Sequence, residues 1–393
     1  MKIAFYAPLK PPTHPIPSGD REMARLILAA LKRAGHEPEL ASRLRSREGT
    51  GDPARQQALA AIGERLARRA IRRYGGRPAA QRPAAWITYH LYYKAPDWIG
   101  PAAAQALAIP YVAIEASHAP KRAASAWSLG HAAVEAAIRR ADAVIQLNPA
   151  DLACVQPLLA EPGRLSLMKP FLDGAPYRAA ARERTSHRAR LAQRLKLDPA
   201  KPWLLAVGMM REGDKLASYR VLGDALGWIT RLDWQLVVVG DGPARGAVEA
   251  ALAPLGRDRL RFAGLSAREH LPEIYAAADL LVWPAIGEAY GMAILEAQAA
   301  GLPVIAADSG GVSAIVEDGA TGRLLPVGDA AAFANAVDLA IADPAVRRKW
   351  ARAAIKKMLA EHDLEGAART LDAVLRRLVP SSAADAEARA AAR

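Results

Sequence analysis

The sequence predicts two tandem, doubly wound α/β domains, and two observations lead to that fold class. Short apolar runs alternate with Ala-rich stretches of helical period along most of the 393 residues. One polar, basic stretch, 178–202, interrupts this alternation. Strands that alternate with helices form βαβ units around a parallel sheet. The length fits two domains, because a single core stops growing at about 250 to 300 residues.

The first series of elements begins with the apolar run "KIAFYAPL" (2–9). A loop rich in Pro and Gly follows it, and then a stretch of helical period that ends at Gly35. Four more strand-like runs follow in the first half of the chain: 84–90, 110–116, 142–148 and 164–170. These runs predict a first domain over 1–177, with 178–202 as a linker.

The second series of elements lies after the basic stretch. Its strand-like runs are 203–210, 234–242, 260–264, 280–285, 303–307 and 322–326. They predict a second domain over 203–360. We expect a helix over 361–379 to pack back on the first domain, and 380–393, which lacks a core pattern, to form a disordered tail.

The net charge of +13 and the pI near 10.0 indicate an anionic partner. Between Arg43 and Arg82 there are eleven Arg against three acidic residues, which gives a local excess of +8. Only Tyr74 accompanies them as an aromatic residue, and this argues against nucleic acid, since binding of single strands uses aromatic side chains for stacking. Cys154 stands alone, so no internal disulfide and no cysteine metal cluster are expected.

The basic segment has the period of an amphipathic helix over 55–74. Apolar side chains recur on one face, and arginines occupy the others: Leu59, Ile62, Leu66, Ala70 and Tyr74 against Arg65, Arg68, Arg69, Arg72 and Arg73. Such a helix either lies at an anionic membrane surface or packs on the core with a solvated charged face. The sequence shows neither a signal peptide nor an apolar run of membrane-spanning length, so we expect a cytoplasmic protein, at most peripheral at the inner face of the membrane.

Two carboxylates mark the candidate site, Glu288 and Glu296 in the otherwise apolar stretch "GEAYGMAILEAQAAGLPVIA" (287–306). Burying an unpaired carboxylate there would be costly. We place Glu288 in the loop after a strand and Glu296 on the first turns of a helix that begins near Gly291. Ligands of doubly wound sheets bind beyond the carboxyl ends of the strands, and the start of a helix favours an anion.

The segment 287–329 resembles the signature of glycosyltransferase family 4, a group 1 family of retaining enzymes with two Rossmann-like domains and an interdomain cleft, the GT-B fold. The resemblance covers most of 203–345 and is thinner in the first half of the chain. It implies a hexosyltransferase that moves a sugar from a nucleotide-diphosphate sugar to a glycan or lipid-linked acceptor in envelope polysaccharide biosynthesis. Two alternatives remain: another GT-B enzyme, such as a sugar-nucleotide epimerase or a glycogen-type transferase, and a catalytically silent sugar-binding relative.

The resemblance also implies roles for individual residues. Glu288 would bind hydroxyls of the donor sugar, and Glu296 would bind the ribose diol. Both roles agree with the chemistry, because a carboxylate accepts two hydrogen bonds from a diol. Four backbone N–H groups would meet the sugar or the diphosphate: those of Ala289, Tyr290, Gly291 and Met292.

The leaving diphosphate needs counter-charges, and the resemblance assigns these to Arg211 and Lys215. The Gly-Arg pair of the family reads Gly208-Met209 here, so the arginine has moved to Arg211 or been replaced by it. Gly19 would let the loop of the first domain approach the donor phosphates. The chain contains no Asp-x-Asp pair, so we expect no cofactor and no metal requirement.

Acceptor binding is assigned to the first domain, where His90 and His118 fall at or just after the ends of predicted strands. Either imidazole could orient an acceptor hydroxyl, and Glu115 is a third candidate. The pair Lys121–Arg122 could hold an anionic acceptor. His36, in a turn that leads into a strand, is predicted to be structural.

Overall fold

The computed structural model of the chain describes residues 1–16, 18–288 and 290–379. They form two compact units, Met1–Lys169 with the described residues from Leu364 onward, and Pro170–Asp363. Each unit contains a six-stranded sheet in which every strand pair is parallel. The predicted class of two α/β domains is therefore confirmed.

The sheet of the first unit has the strand order β2-β1-β3-β4-β5-β6. Its strands are β1 (Lys2–Tyr6), β2 (Glu37–Leu40), β3 (Ala85–Leu91), β4 (Tyr111–Ala116), β5 (Ala143–Gln146) and β6 (Leu165–Leu167). The helices between them are α1 (Gly19–Arg33), α2 (Pro53–Gly75), α3 (Gly100–Ala106), α4 (Ser128–Arg140) and α5 (Leu152–Val155). The central strands β3 and β4 are buried almost throughout, because helices cover both faces of a parallel sheet.

The second unit repeats this plan with the strand order β12-β11-β10-β7-β8-β9. Its strands are β7 (Trp203–Val207), β8 (Gln235–Val239), β9 (Leu260–Gly264), β10 (Leu280–Trp283), β11 (Val304–Ala307) and β12 (Gly322–Leu325). Its helices are α6 (Ala175–Arg182), α7 (Arg184–Leu195), α8 (Asp214–Gly227), α9 (Arg245–Leu252), α10 (Leu271–Ala277), α11 (Met292–Ala299), α12 (Val312–Ile315), α13 (Ala330–Ala342) and α14 (Pro344–Glu361).

The boundary between the units lies between Lys169 and Pro170 rather than after residue 177. The stretch 178–202, expected as a linker, instead carries most of α6 and all of α7, and it belongs to the second unit. Its basic composition has a structural cause. Arg184 and Arg188 pair with the two carboxylate oxygens of Asp279, at 2.7 and 2.9 Å.

A last helix, α15 (Leu364–Leu378), packs on α1 in the first unit. Nε2 of His36 lies 3.1 Å from Oδ1 of Asp372, and Arg33 pairs with Glu365. His36 is therefore a structural residue, as expected from the sequence. The predicted tail, 380–393, lies outside the described residues.

The basic helix predicted over 55–74 is present as α2, and Asp52 caps its start. Its buried face includes Gly63, where a Cβ atom would lie 2.1 Å from Cβ of Trp98, so the helix packs closely on its unit. The exposed arginines of the helix are Arg55, Arg65, Arg68, Arg69, Arg72 and Arg73. Arg73 also pairs with Glu39 at 2.8 Å. Among the described residues, no helix is long and apolar enough to cross a membrane.

Candidate functional site

The loops after β7 and β10 meet in the second unit, because these two strands are neighbours in the sheet. Nζ of Lys215 pairs there with Oε2 of Glu288. The indole Nε1 of Trp283 donates to the same oxygen at 3.2 Å, and Nζ of Lys215 lies 5.2 Å from the centroid of the indole ring. The Glu288 side chain is 15% exposed, so the carboxylate is partly desolvated and held by a cation and an N–H donor.

The backbone of the loop after β10 is fixed by α8. Ala285 and Gly287 adopt left-handed conformations, with φ of 53° and 59°. A Cβ atom at Gly287 would lie 2.6 Å from Cγ of Asp214, so glycine is required for this approach. Oγ of Ser218 accepts a hydrogen bond from the N–H of Ile286 at 3.0 Å. The first turns of α8 thus supply Lys215 and also position the loop that carries Glu288.

Aromatic packing holds Trp283 in place. The ring of Tyr219 meets it edge to face at 5.1 Å, and the hydroxyl of Tyr219 donates to the carbonyl of Gly208 at 2.9 Å. A Cβ atom at Gly240 would lie only 1.9 Å from that same carbonyl oxygen. The turn "GDGP" is therefore structural, since its first glycine lets the loops after β7 and β8 pack against each other.

Glu296 lies in the second turn of α11 and is 8% exposed. The hydroxyl of Tyr275 donates to its Oε2 at 2.8 Å, and Tyr177 of α6 is a second hydrogen-bond partner. Burial raises the pKa of Glu296 and outweighs the opposing effects of Tyr275, of the positive charge of Arg268 and of Tyr177. Glu296 therefore accepts hydrogen bonds from tyrosines, whereas Glu288 contacts Lys215 and Trp283.

The helix α11 begins at Met292 with Gly291 as its N-cap, as the sequence predicts. Gly291 is left-handed, with φ of 77°, and a Cβ atom there would lie 2.9 Å from Cδ1 of Ile294. Tyr290 and Met292 are half-buried. Ala289 lies outside the described residues.

The remaining predicted donor-site residues are Arg211 in the second unit and Gly19 in the first. Arg211 is exposed, its guanidinium contacts Sδ of Met209 at 3.1 Å, and it has no ion-pair partner among the described residues. Gly19 is the exposed first residue of α1 in the first unit, where Oγ of Ser18 caps the helix by accepting from the N–H of Arg21.

The first unit has a cluster of its own at the carboxyl ends of β3 and β4. Nδ1 of His90 lies 3.1 Å from Oδ1 of Asp20 and 3.8 Å from Oε1 of Glu115. Burial lowers the pKa of His90, but the carboxylates of Glu115 and Asp20 outweigh it and raise the pKa to about 9. His90 and Glu115 have left-handed backbones, with φ of 63° and 58°, a strain that is typical of functional sites.

His118 lies in the loop after β4, away from this cluster. Its Nε2 is 3.4 Å from Oε2 of Glu135 on α4, and its ring is 4.8 Å from that of His131. Burial, together with His118, lowers the pKa of His131. In the same loop Lys121 is exposed, and the guanidinium of Arg122 lies 5.4 Å from the ring centroid of Trp127.

Four residues that contact the predicted site residues were not predicted from the sequence: Asp20, Trp283, Tyr177 and Tyr275. Two of them had a usable signal. Trp283 is the last residue of a strand that leads into the candidate loop, and Asp20 directly follows Gly19. Tyr177 and Tyr275 had none, because their contact with Glu296 joins elements far apart in the chain.

Comparison with known proteins adds a family likeness. Residues 201–343 match the model of the glycosyl transferases group 1. An alpha-D-kanosaminyltransferase of Streptomyces kanamyceticus is 30% identical over 64% of this chain and 63% of its own length. A D-inositol 3-phosphate glycosyltransferase of Salinispora tropica is 34% identical over 50% of this chain and 42% of its own. The chain thus spans less than two thirds of these relatives.

Solved structures agree on the fold. HepE of Anabaena, in complex with UDP, superposes with a TM-score of 0.73 at 20% identity, over 96% of this chain and 100% of its own. A glycosyltransferase of Rickettsia africae gives a TM-score of 0.73 at 16% identity, over 97% of this chain and 99% of its own. The chain therefore has the two-domain α/β architecture of the GT-B fold.

The raised pKa of His90 leads to a testable prediction. We expect His90 to stay protonated at about pH 7.5, and Asp20→Asn to lower its pKa, because one of two stabilising carboxylates is lost. An NMR titration of the imidazole nitrogens measures both values.

The same shift predicts how stability depends on pH. The raised pKa of His90 stabilises the folded protein. This stabilisation is complete below the unfolded-state pKa of about 6.5, and it is lost as the pH rises through about 9. The urea midpoint of the protein should therefore fall toward that of His90→Gln across this range. A difference between the two proteins that stays constant across it would contradict the assignment.

Proposed function

We propose that this chain is a retaining glycosyltransferase of family 4 that transfers a sugar from a nucleotide-diphosphate sugar to a glycan or lipid-linked acceptor. The observation that carries the proposal is the contact of Glu288 with Lys215 and Trp283 in the strand-end loops of the group 1 domain. A carboxylate for sugar hydroxyls and a cation for the diphosphate are the two groups that such a donor needs at its reacting end.

The contact between Lys215 and Glu288 suits a donor site. When no donor is bound, the two side chains neutralise each other, so each partly buried charge has a partner. With donor, the ammonium group would turn to the diphosphate, and the carboxylate would accept hydrogen bonds from the sugar. HepE of Anabaena has been solved with UDP and with UDP-glucose, and this supports a nucleotide sugar as the donor.

Glu296 would bind the ribose diol in the proposed complex. Its present donors, the hydroxyls of Tyr275 and Tyr177, are of the same chemical kind as ribose hydroxyls. Ribose could therefore replace one of them without leaving the buried carboxylate unpaired. The N–H groups at the start of α11 would face the sugar or the diphosphate.

The proposed reaction begins when the diphosphate departs and leaves an oxocarbenium-like centre. Lys215 would stabilise the charge that develops on the leaving oxygen, assisted by Arg211, whose guanidinium is exposed and has no ion-pair partner among the described residues. The acceptor hydroxyl would attack the face from which the diphosphate leaves, and its proton would pass to the leaving diphosphate oxygen. This gives retention and requires no covalent nucleophile.

The acceptor is assigned to the first unit. Protonated His90, held by Asp20 and Glu115, would donate a hydrogen bond to an acceptor oxygen, and Gly19 would approach the donor phosphates from the start of α1. His118, Lys121 and Arg122 offer further polar groups in the loop after β4. The D-inositol 3-phosphate glycosyltransferases among the relatives are consistent with an anionic acceptor.

An anionic membrane surface is the proposed location of the reaction. Exposed arginines of α2, among them Arg65, Arg68, Arg69 and Arg72, would bind acidic lipid headgroups and bring the first unit to a lipid-linked acceptor at the cytoplasmic face. A role in envelope polysaccharide biosynthesis follows from such an acceptor. The alternative for α2 is a scaffold helix of the domain.

A panel of nucleotide sugars tests the central proposal. A stabilising donor is identified by thermal shift and then incubated with candidate acceptors, and the anomeric configuration of the product is determined by NMR. Epimerisation without transfer would favour a sugar-nucleotide epimerase. Binding without turnover over the whole acceptor panel would favour a silent relative.

Substitution of the two carboxylates should have different kinetic effects. Glu288→Gln is expected to lower kcat by about 100-fold, because it removes a group that positions the reacting sugar. Glu296→Gln should mainly raise the donor KM, by about tenfold, because ribose is bound equally in the ground and transition states. Glu249→Gln, on the exposed face of α9, is the matched control. Wild-type kinetics in both site variants would refute the assignment.

Turnover is expected to persist in excess EDTA. The sequence has no Asp-x-Asp pair, and Lys215 and Arg211 offer alternative counter-charges. Initial rates with and without chelator should agree within about twofold. Complete loss of activity that only Mn²⁺ or Mg²⁺ restores would contradict the prediction.

Membrane binding is predicted to depend on α2. Co-sedimentation with vesicles should require anionic lipid and weaken at high salt, and replacing Arg65, Arg68, Arg69 and Arg72 by Gln should abolish it. A control variant removes four exposed positive charges from α14 instead: Arg348, Lys349, Arg352 and Lys356. Equal binding of both variants, or equal binding to neutral vesicles, would identify α2 as scaffold.

A further inference from the structure

A group of three potential metal ligands lies in the first unit, outside the residues assigned to the donor. His118, His131 and Glu135 each offer one ligand atom, and these atoms all lie within 4.8 Å of one another. His131 and Glu135 are four residues apart on α4, so they project from the same face of the helix. His118 reaches them from the loop after β4, with its Nε2 3.4 Å from Oε2 of Glu135.

Contacts outside the cluster orient its members. The imidazole of His131 has a hydrogen bond with the backbone of Ala119. Oε1 of Glu135 accepts from Arg139 at 2.9 and 3.1 Å, which leaves Oε2 directed at His118. Metal-binding histidines and carboxylates typically have such outer partners, because these fix the orientation and the tautomer of the ligand.

One ring nitrogen of the cluster, Nε2 of His131, is buried without a hydrogen-bond partner among the described residues, and the residue is 5% exposed. A buried polar atom that forms no hydrogen bond is costly and requires an explanation. A cation bound between His131, His118 and Glu135 would satisfy this nitrogen.

We propose that His118, His131 and Glu135 form a binding site for a divalent transition-metal ion, with Zn²⁺ as the best fit. Two imidazoles and one carboxylate are a donor set of zinc sites that keep a fourth position for water. A tetrahedral ion about 2.1 Å from each ligand separates the ligand atoms by about 3.4 Å. The pair His118 and Glu135 already has this spacing, and rotation of the side chains brings the remaining atoms together.

The proposed ion would connect the loop after β4 to α4. This loop also carries Lys121 and Arg122, so metal binding would restrict the segment that we assign to the acceptor. It would also occupy the imidazole of His118. The ion is proposed as a ligand that organises the loop and not as a participant in sugar transfer.

The test measures metal binding and does not depend on glycosyl transfer. The untagged full-length chain carries Cys154→Ser, because the exposed thiol is itself a metal ligand. The metal-stripped protein is titrated with Zn²⁺ by calorimetry and with Co²⁺ by visible absorption. We expect one ion per chain, with Co²⁺ bands of a four- or five-coordinate site.

Variants of the ligands locate the site. His131→Ala and Glu135→Gln should each weaken Zn²⁺ binding by at least about tenfold, and Arg139→Gln, which removes an outer partner, by about tenfold. His270 is a 61% exposed histidine of the second unit, and the His270→Ala variant should bind Zn²⁺ as tightly as the Cys154→Ser parent chain does. Far-ultraviolet circular dichroism of the metal-free variants verifies that they fold.

Two results would overturn the proposal. One is stoichiometric Zn²⁺ binding that is equally tight in the parent, in His131→Ala and in Glu135→Gln. The other is the absence of stoichiometric binding to the parent chain. In the second case the contact between His118 and Glu135 is structural and the cluster binds no metal ion. Failure of sugar transfer would leave the binding result unaffected, so this proposal and the proposed function are tested separately.

Discussion

Parallel pairing of all strands is the constraint on which both units depend. Each strand must be followed by a crossover that returns the chain to the same end of the sheet, and the helices that do this bury both faces. All carboxyl ends therefore emerge at one edge. This is why Lys215 and Glu288, 73 positions apart, meet in the loops after two adjacent strands. It also explains why Asp20, His90 and Glu115 converge in the first unit.

Buried charges in this protein are compensated locally. Glu288 has Lys215 and Trp283, Glu296 has two tyrosines, and His90 has two carboxylates. Such networks contribute little net stability, because desolvation offsets the Coulomb attraction. Their effect is geometric, since each one holds a polar group in a fixed orientation at the end of a strand. A ligand that offers equivalent partners can exchange with them at small cost.

Local patterns were sufficient to predict part of this arrangement. The alternation of runs predicted the fold class, and the small residues near Gly291 predicted the start of α11. Contacts between distant segments were not predictable. Glu296 was expected to bind the ribose diol, but its contact with Tyr177, which lies in the distant helix α6, left no local pattern. The stretch 178–202 looked like a linker, because the carboxylate that its arginines pair with, Asp279, lies about a hundred positions later.

The arginines of α7 also define what a separable piece of this protein must contain. Arg184 and Arg188 donate to the carbonyls of Ala276 and Ala277 at the end of α10, each at 2.6 Å, and the guanidinium of Arg188 stacks 4.0 Å from the ring centroid of Trp203. A fragment cut at the edge of the family match, near residue 201, would expose that ring and leave the end of the helix uncapped. An independently expressed second unit, or one exchanged with a relative, should therefore begin at Pro170 and end at Asp363, because α15 belongs to the first unit.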